Sequence, residues 1–156
     1  MLHFAIPGRG DFVIKNLILD LNGTIAFDGN IITGVKKRLS YLVNHLNIFV
    51  VTADTNKNAE QLVKGLNITL FKIYKGNEDS QKRGLVIENG KNETVSIGNG
   101  ANDVSMLKES SIGICVLGKE GAATETIIAS NVAVPTINDA LDLLLEPHRL
   151  IATLRK

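Results

Sequence analysis

The sequence predicts a doubly wound α/β fold, a parallel β-sheet with helices on both faces. Three observations predict it. Short runs such as LILD (17–20), IFVVT (48–52) and IGICVL (112–117) are apolar throughout rather than alternating, as in strands buried on both sides. A helical stretch separates most of these runs from the next, so right-handed βαβ crossovers are the default connection. Several runs end on polar residues, and open α/β sheets bind ligands beyond the carboxyl ends of their strands.

Taken in order, LHFAI and FVIKN flank PGRGD and predict a hairpin over 2–16. LILD is the first sheet strand, and a second hairpin follows at 24–33, where DGN interrupts TIAF and IITG, so it stands over that strand's carboxyl end. Val35, Leu39, Leu42, Val43 and Leu46 recur at spacings of three and four, an amphipathic helix with Thr33 placed as its N-cap. Further strands are predicted at 48–52, 69–73, 94–98, 112–117 and 131–134. Helices are expected at 57–64, 80–89, 103–109, 121–129 and 137–145. PHRLIATLRK closes the chain as a short amphipathic segment. One domain over 1–156 is expected, since 156 residues close a single core and no linker or repeat divides them.

Seventeen basic and sixteen acidic side chains leave a formal charge of +1, which gives no electrostatic case for nucleic acid or an anionic membrane as partner. Cys115 lies inside an apolar run and reads as a core residue. The first ten residues have no signal-peptide pattern, and no apolar run approaches the roughly 18 residues of a membrane span. A cytoplasmic protein is therefore expected. His3, His45 and His148 stand apart from the polar strand endings.

Those endings are DLNGT after the first strand, TADT (52–55) after the second and GNGAND (98–103) after the fourth. Each alone is a common cap or turn. In this order they resemble the haloacid dehalogenase superfamily of phosphohydrolases and phosphotransferases, with its D-x-D-G-T motif, strand-end Thr or Ser, Lys, and G-D-G-x-N-D. The matching positions are Asp20 to Thr24, Thr52, Lys82 and Gly98 to Asp103. Within the superfamily the chain looks most like small soluble relatives of the P-type ATPase phosphorylation domain. The resemblance implies a Rossmann-like core and a nucleophilic Asp20 that forms an aspartyl phosphate. It implies Mg²⁺ as cofactor, held by Asp20, the Asn22 carbonyl, Asn99 and Asp103. Thr52, Ala53, Asp54 and Lys82 would bind the transferred phosphoryl group. Lys75 is the competing lysine; Lys82 is preferred because it opens a helical stretch sixteen residues before Gly98.

Two positions depart from the pattern. Asn22 replaces the carboxylate that protonates the leaving group, and an amide exchanges no proton. Asn99 replaces a metal-binding carboxylate with a neutral oxygen. An activated phosphate, an ATP-like anhydride or acyl phosphate, is therefore the expected substrate, because its leaving group needs no proton. Asp28 and Asp54 are the carboxylates nearest to hand as substitutes. The spacings from Asp20 to Thr52 and on to Lys82 leave no room for a cap domain, so the expected partner is a phosphorylated small molecule or nucleotide in an open site that a second subunit could cover. The alternatives are a capless phosphatase of sugar-acid phosphates or phosphoproteins, and a degenerate module that binds phosphate, metal or protein without turnover.

Overall fold

The computed structural model describes residues 1–53 and 58–156. Six strands form one parallel sheet: β3 (Asn16–Asp20), β6 (Asn47–Thr52), β7 (Thr69–Lys72), β8 (Thr94–Gly98), β9 (Ile112–Val116) and β10 (Val132–Val134). Their order is β10-β9-β8-β3-β6-β7. The chain runs outward from β3 through β6 to β7, then crosses back to β8 on the other side. The order therefore reverses at β3 and β8, which pair in register from Asn16 with Thr94 to Leu19 with Ile97. The six sheet strands expected from the sequence are these strands, to within a residue or so at their ends.

Both faces of the sheet are covered. Leu17 and Leu19 of β3 join the larger core, with α1 (Val35–Leu42), α6 (Ile137–Leu145) and α7 (Pro147–Leu154) packed on it. Ile18 faces the other way, into a smaller core with Val51, Cys115, Leu85 and Val86 of α3 (Glu78–Glu88), and Met106 and Leu107 of α4 (Val104–Glu109). Side chains along a strand alternate faces. Asp20 therefore emerges on the Ile18 side, toward α3, and this parity decides which helix can reach it. Gly113 on β9 has a matching reason: a Cβ there would stand 2.5 Å from the Leu107 carbonyl oxygen, so the missing side chain lets α4 lie close on the sheet.

The first hairpin is β1 (Leu2–Ile6) against β2 (Gly10–Ile14), antiparallel, and the second is β4 (Ala26–Phe27) against β5 (Asn30–Ile31). Several helix starts differ from expectation, α3 beginning at Glu78 rather than 80 among them. Gly34, not Thr33, occupies the N-cap of α1, with no side-chain cap bond. The helix after β9, α5, spans Thr124–Ala129, so 121–123 belong to a loop. The helix after β6, α2, is described from Asn58 to Val63. Among the described residues there is no separate cap domain, and no helix is long and apolar enough to cross a membrane.

Candidate active site

At the switch point the carboxyl ends of β3 and β8 present Asp20 and the loop Gly98–Asp103, and α3 presents Lys82 from below. Lys82 is buried, with its side chain only 2% exposed, and its ammonium donates to three oxygens. These are Asp20 Oδ1 at 2.8 Å, Asp103 Oδ1 at 2.6 Å and Asn102 Oδ1 at 3.2 Å. All three of its protons are thereby used. Lys75 is exposed and lies outside this cluster, so the structure distinguishes two lysines that spacing alone left competing.

Helix α3 is tied down at its start by two carboxylates that belong to none of the motifs. Asp79 Oδ1 accepts from the Ser105 amide at 2.9 Å and its Oδ2 from the Ser105 hydroxyl at 2.5 Å. Glu78 accepts from Asn102 Nδ2 at 3.0 Å. Carboxylates in a helix's first turn also complement its dipole. One turn on, the same helix carries Lys82 into the gap between Asp20 and Asp103.

Asp103 has both oxygens engaged. Oδ1 accepts from Lys82, and Oδ2 accepts from the Asn99 and Gly100 amides, each at 3.0 Å. It is fully buried and does not line the cleft. Asn99 is held in its amide form by opposite demands: its Oδ1 faces the Thr24 hydroxyl at 3.1 Å, and its Nδ2 donates to the Gly121 carbonyl at 3.1 Å. Thr24 stands equally 3.1 Å from Asp20 Oδ2, so its single proton is shared between Asp20 and Asn99. The Asn22 carbonyl accepts no hydrogen bond from the described residues.

Two carboxylates share one ammonium here, and burial raises the pKa of Asp20 to about 7, with repulsion from Asp103 adding to it and Lys82 opposing it. Burial opposes the charge on Lys82 as well, but the two carboxylates outweigh it and its pKa is raised. The cluster therefore carries a surplus negative charge that a cation or a proton would relieve.

A cleft of about 200 Å³ opens above these groups, lined by Asp20, Asn22, Thr52, Ala53, Lys82, Asn99, Gly100, Asn102 and Glu120. Of the residues singled out from the sequence, Asp20, Asn22, Thr52, Ala53, Lys82 and Asn99 meet there. Asp103 supports the cleft from behind, and Asp54 lies outside the described residues. Asp28 is exposed at the tip of the β4–β5 hairpin with φ of 48° and is not on the cleft wall. Glu120 is the residue that the sequence reading missed. It sits in LGKEG beyond the end of β9, and extending the search of strand endings to that run would have found it. A neighbouring cavity of about 480 Å³ is lined by Thr24, Phe27, Ile31, Val116, Lys119 and Ile137 among others, with the Lys119 ammonium 5.1 Å from the centre of the Phe27 ring.

No protein-family model matches the chain. Solved structures share its fold at low identity. A 3-deoxy-D-manno-octulosonate 8-phosphate phosphatase from Moraxella catarrhalis, crystallised with magnesium, phosphate and KDO, superposes with a TM-score of 0.71 at 15% identity, over 91% of this chain and 94% of that one. The cobalt-bound phosphatase of the same name from Haemophilus influenzae gives 0.73 at 15%, over 92% and 94%. A putative haloacid dehalogenase superfamily hydrolase (subfamily III A) from Legionella pneumophila gives 0.72 at 16%, over 90% and 87%. The fold is thus the capless haloacid dehalogenase core; these neighbours lend no support to the finer likeness to ATPase domains. Closer in sequence are two uncharacterized proteins of Methanocaldococcus jannaschii. MJ0072 is 51% identical over 41 residues, 26% of this chain and 93% of that protein. MJ0073 is 53% identical over 68 residues, 44% of this chain and 73% of its own length, and the chain belongs to its family.

Proposed function

We propose that the chain is a Mg²⁺-dependent phosphatase of a small phosphorylated molecule, acting through an aspartyl phosphate on Asp20. The observation that carries this reading is the buried Lys82 ammonium, which joins Asp20 to Asp103 at the switch point while Asp20 still faces the cleft. A lysine fixed there offsets the charge that a phosphoryl group would add. Thr52 and the Ala53 amide line the same cleft and suit the transferred phosphoryl oxygens. Asp103 acts by positioning, since its oxygens hold Lys82 and the Asn99–Gly100 amides.

The donor set fits a hard divalent cation, because Asp20, Asn22 and Asn99 line the cleft, and a carboxylate, a backbone carbonyl and a side-chain amide oxygen are the kinds of ligand such an ion takes. When bound, Mg²⁺ neutralises phosphoryl oxygens during in-line displacement. Asp20 then supplies the attacking oxygen. Its reactive form is the carboxylate, and the bonds from Lys82 and Thr24 orient it.

The cleft suits a phosphoryl group, and the larger cavity beside it, apolar with Lys119 at its wall, suits a compact organic group with an anionic substituent. The phosphatases of similar fold are named for a sugar-acid phosphate, so a phosphorylated acid is the preferred substrate class over a nucleotide. Asn22 cannot protonate a leaving alkoxide, so acyl phosphates should react faster than alkyl esters. The test is incubation with labelled acetyl phosphate and a panel of sugar-acid phosphates. Acid-stable label on Asp20, absent from Asp20→Asn, together with Mg²⁺-dependent phosphate release is the expected result. Neither label nor release from any substrate would leave a non-catalytic phosphate-binding module as the better account.

A further inference from the structure

Positions 22 and 99 hold amides, and Asp103, with both oxygens hydrogen-bonded, is not on the cleft wall. Asp20, already paired with Lys82, would then be the sole carboxylate facing a cation. Glu120 changes that count. It lies on the cleft wall with Asp20, Asn22 and Asn99, and among the described residues its carboxylate has no hydrogen bond or ion pair.

The loop that carries Glu120 and the helix α5 that follows it are fixed to the Gly98–Asp103 loop at three points. Asn99 Nδ2 donates to the Gly121 carbonyl at 3.1 Å, the Ala123 amide donates to the Asn99 carbonyl at 3.0 Å, and the Thr126 hydroxyl donates to the Gly100 carbonyl at 2.7 Å. On its other side the loop rests on the turn after β3. Gly23, with φ of +79°, leaves open the space that a Cβ would take, and such a Cβ would strike the Glu120 carboxylate and come within 2.9 Å of Asn99 Nδ2. The Glu120 carboxylate and the Asn99 side chain, by its nitrogen, thus both lie against the turn at Gly23, next to Asn22.

We propose that Glu120 is the second carboxylate of the cation site and supplies the negative charge that Asn99 lacks. This rests on reading the cleft as a Mg²⁺ site. The amide at 99 and the acid at 120 form one arrangement: only an amide can face the Thr24 hydroxyl with its oxygen and donate to Gly121 with its nitrogen, and that second bond holds the loop presenting Glu120. Mg²⁺ takes oxygen ligands and favours charged ones, so moving the carboxylate from one loop to its neighbour preserves the site's chemistry.

Calorimetric titration of the full chain with Mg²⁺, alone and with saturating inorganic phosphate, tests this. Glu120→Gln should weaken Mg²⁺ at least tenfold. Glu125→Gln, the same charge change on an exposed residue off the cleft wall, should leave affinity within twofold. Unfolding of Glu120→Gln in EDTA should match the parent chain, which separates a lost ligand from a lost fold. In the double variant Asn99→Asp with Glu120→Gln, the returned carboxylate should recover part of the affinity. Parent and Glu120→Gln chains of equal affinity, or a parent chain that binds no Mg²⁺, would overturn the proposal. Labelling of Asp20 reports separately on the phosphatase reading: label with no effect at Glu120 removes only this inference, and Glu120-dependent binding without label removes only the enzyme.

Discussion

At the residue scale, the buried trio of Asp20, Lys82 and Asp103 has one negative charge too many, and its pH behaviour follows. The Asp20 carboxyl titrates near 7 in the fold and near 3.8 in a free chain. Its stabilising contribution is therefore complete below about pH 4 and is lost as pH rises through about 7. Asparagine cannot ionise, so metal-free Asp20→Asn should be more stable than the parent at pH 8, by on the order of 2 to 4 kcal/mol. The gap should close toward pH 4 in urea titrations. Lys82→Met works in the opposite direction, leaving two carboxylates buried side by side, and should cost about 3 to 5 kcal/mol at pH 8. Part of that loss should return at pH 5, where a proton replaces the ammonium. Asn22 acts on rate: Asn22→Asp should speed an alkyl phosphate by roughly 10²-fold or more and acetyl phosphate far less, because only the former needs a proton in its transition state. Steady-state assays on the two substrates check the difference.

At the scale of elements, the site depends on how closely neighbouring pieces approach. Helix α4 lies against β9 where Gly113 has no side chain, and α4 continues from the loop that holds Asp103. A Cβ at 113 would stand 2.9 Å from Leu107 Cβ as well as against that residue's carbonyl. Gly113→Ala should therefore lift α4 and destabilise the chain by about 1 to 3 kcal/mol, measured by chemical unfolding. Asn99→Asp tests the other junction. Charge alone predicts tighter Mg²⁺, but the carboxylate would confront the Gly121 carbonyl with no proton to donate. Metal-free stability should fall by about 1 to 3 kcal/mol, and Mg²⁺ should restore more of it in the variant than in the parent. Thermal melts with and without the cation read both effects.

At the scale of the whole molecule, the switch between β3 and β8 gathers residues from five segments far apart in the chain. A ligand that bridges them stabilises the native state by mass action. Mg²⁺ at a hundred times its dissociation constant should contribute about 2.7 kcal/mol. Chelation should reverse the gain, and the gain should be largest above pH 7, where no proton competes at Asp20.

The sequence by itself determined the strands, the buried character of the central ones and the polar residues at their ends. These are local properties: period, turn chemistry and the order of motifs lie in consecutive residues, and Asp20, Thr52 and Lys82 were legible from them. It also showed the amides at 22 and 99 as departures. Tertiary structure decided what those departures mean. Side-chain parity along β3 turned Asp20 toward α3, and the anchoring of Glu78 and Asp79 on the Asn102–Ser105 segment brought Lys82, rather than Lys75, between the two carboxylates. Asp103, expected among the metal ligands from its motif, has both oxygens hydrogen-bonded, one by Lys82 and the other by backbone amides. Glu120 belongs to none of the motifs. Its place beside Asn99 depends on hydrogen bonds between two loops more than twenty residues apart, and a contact of that kind leaves no periodic trace along the chain.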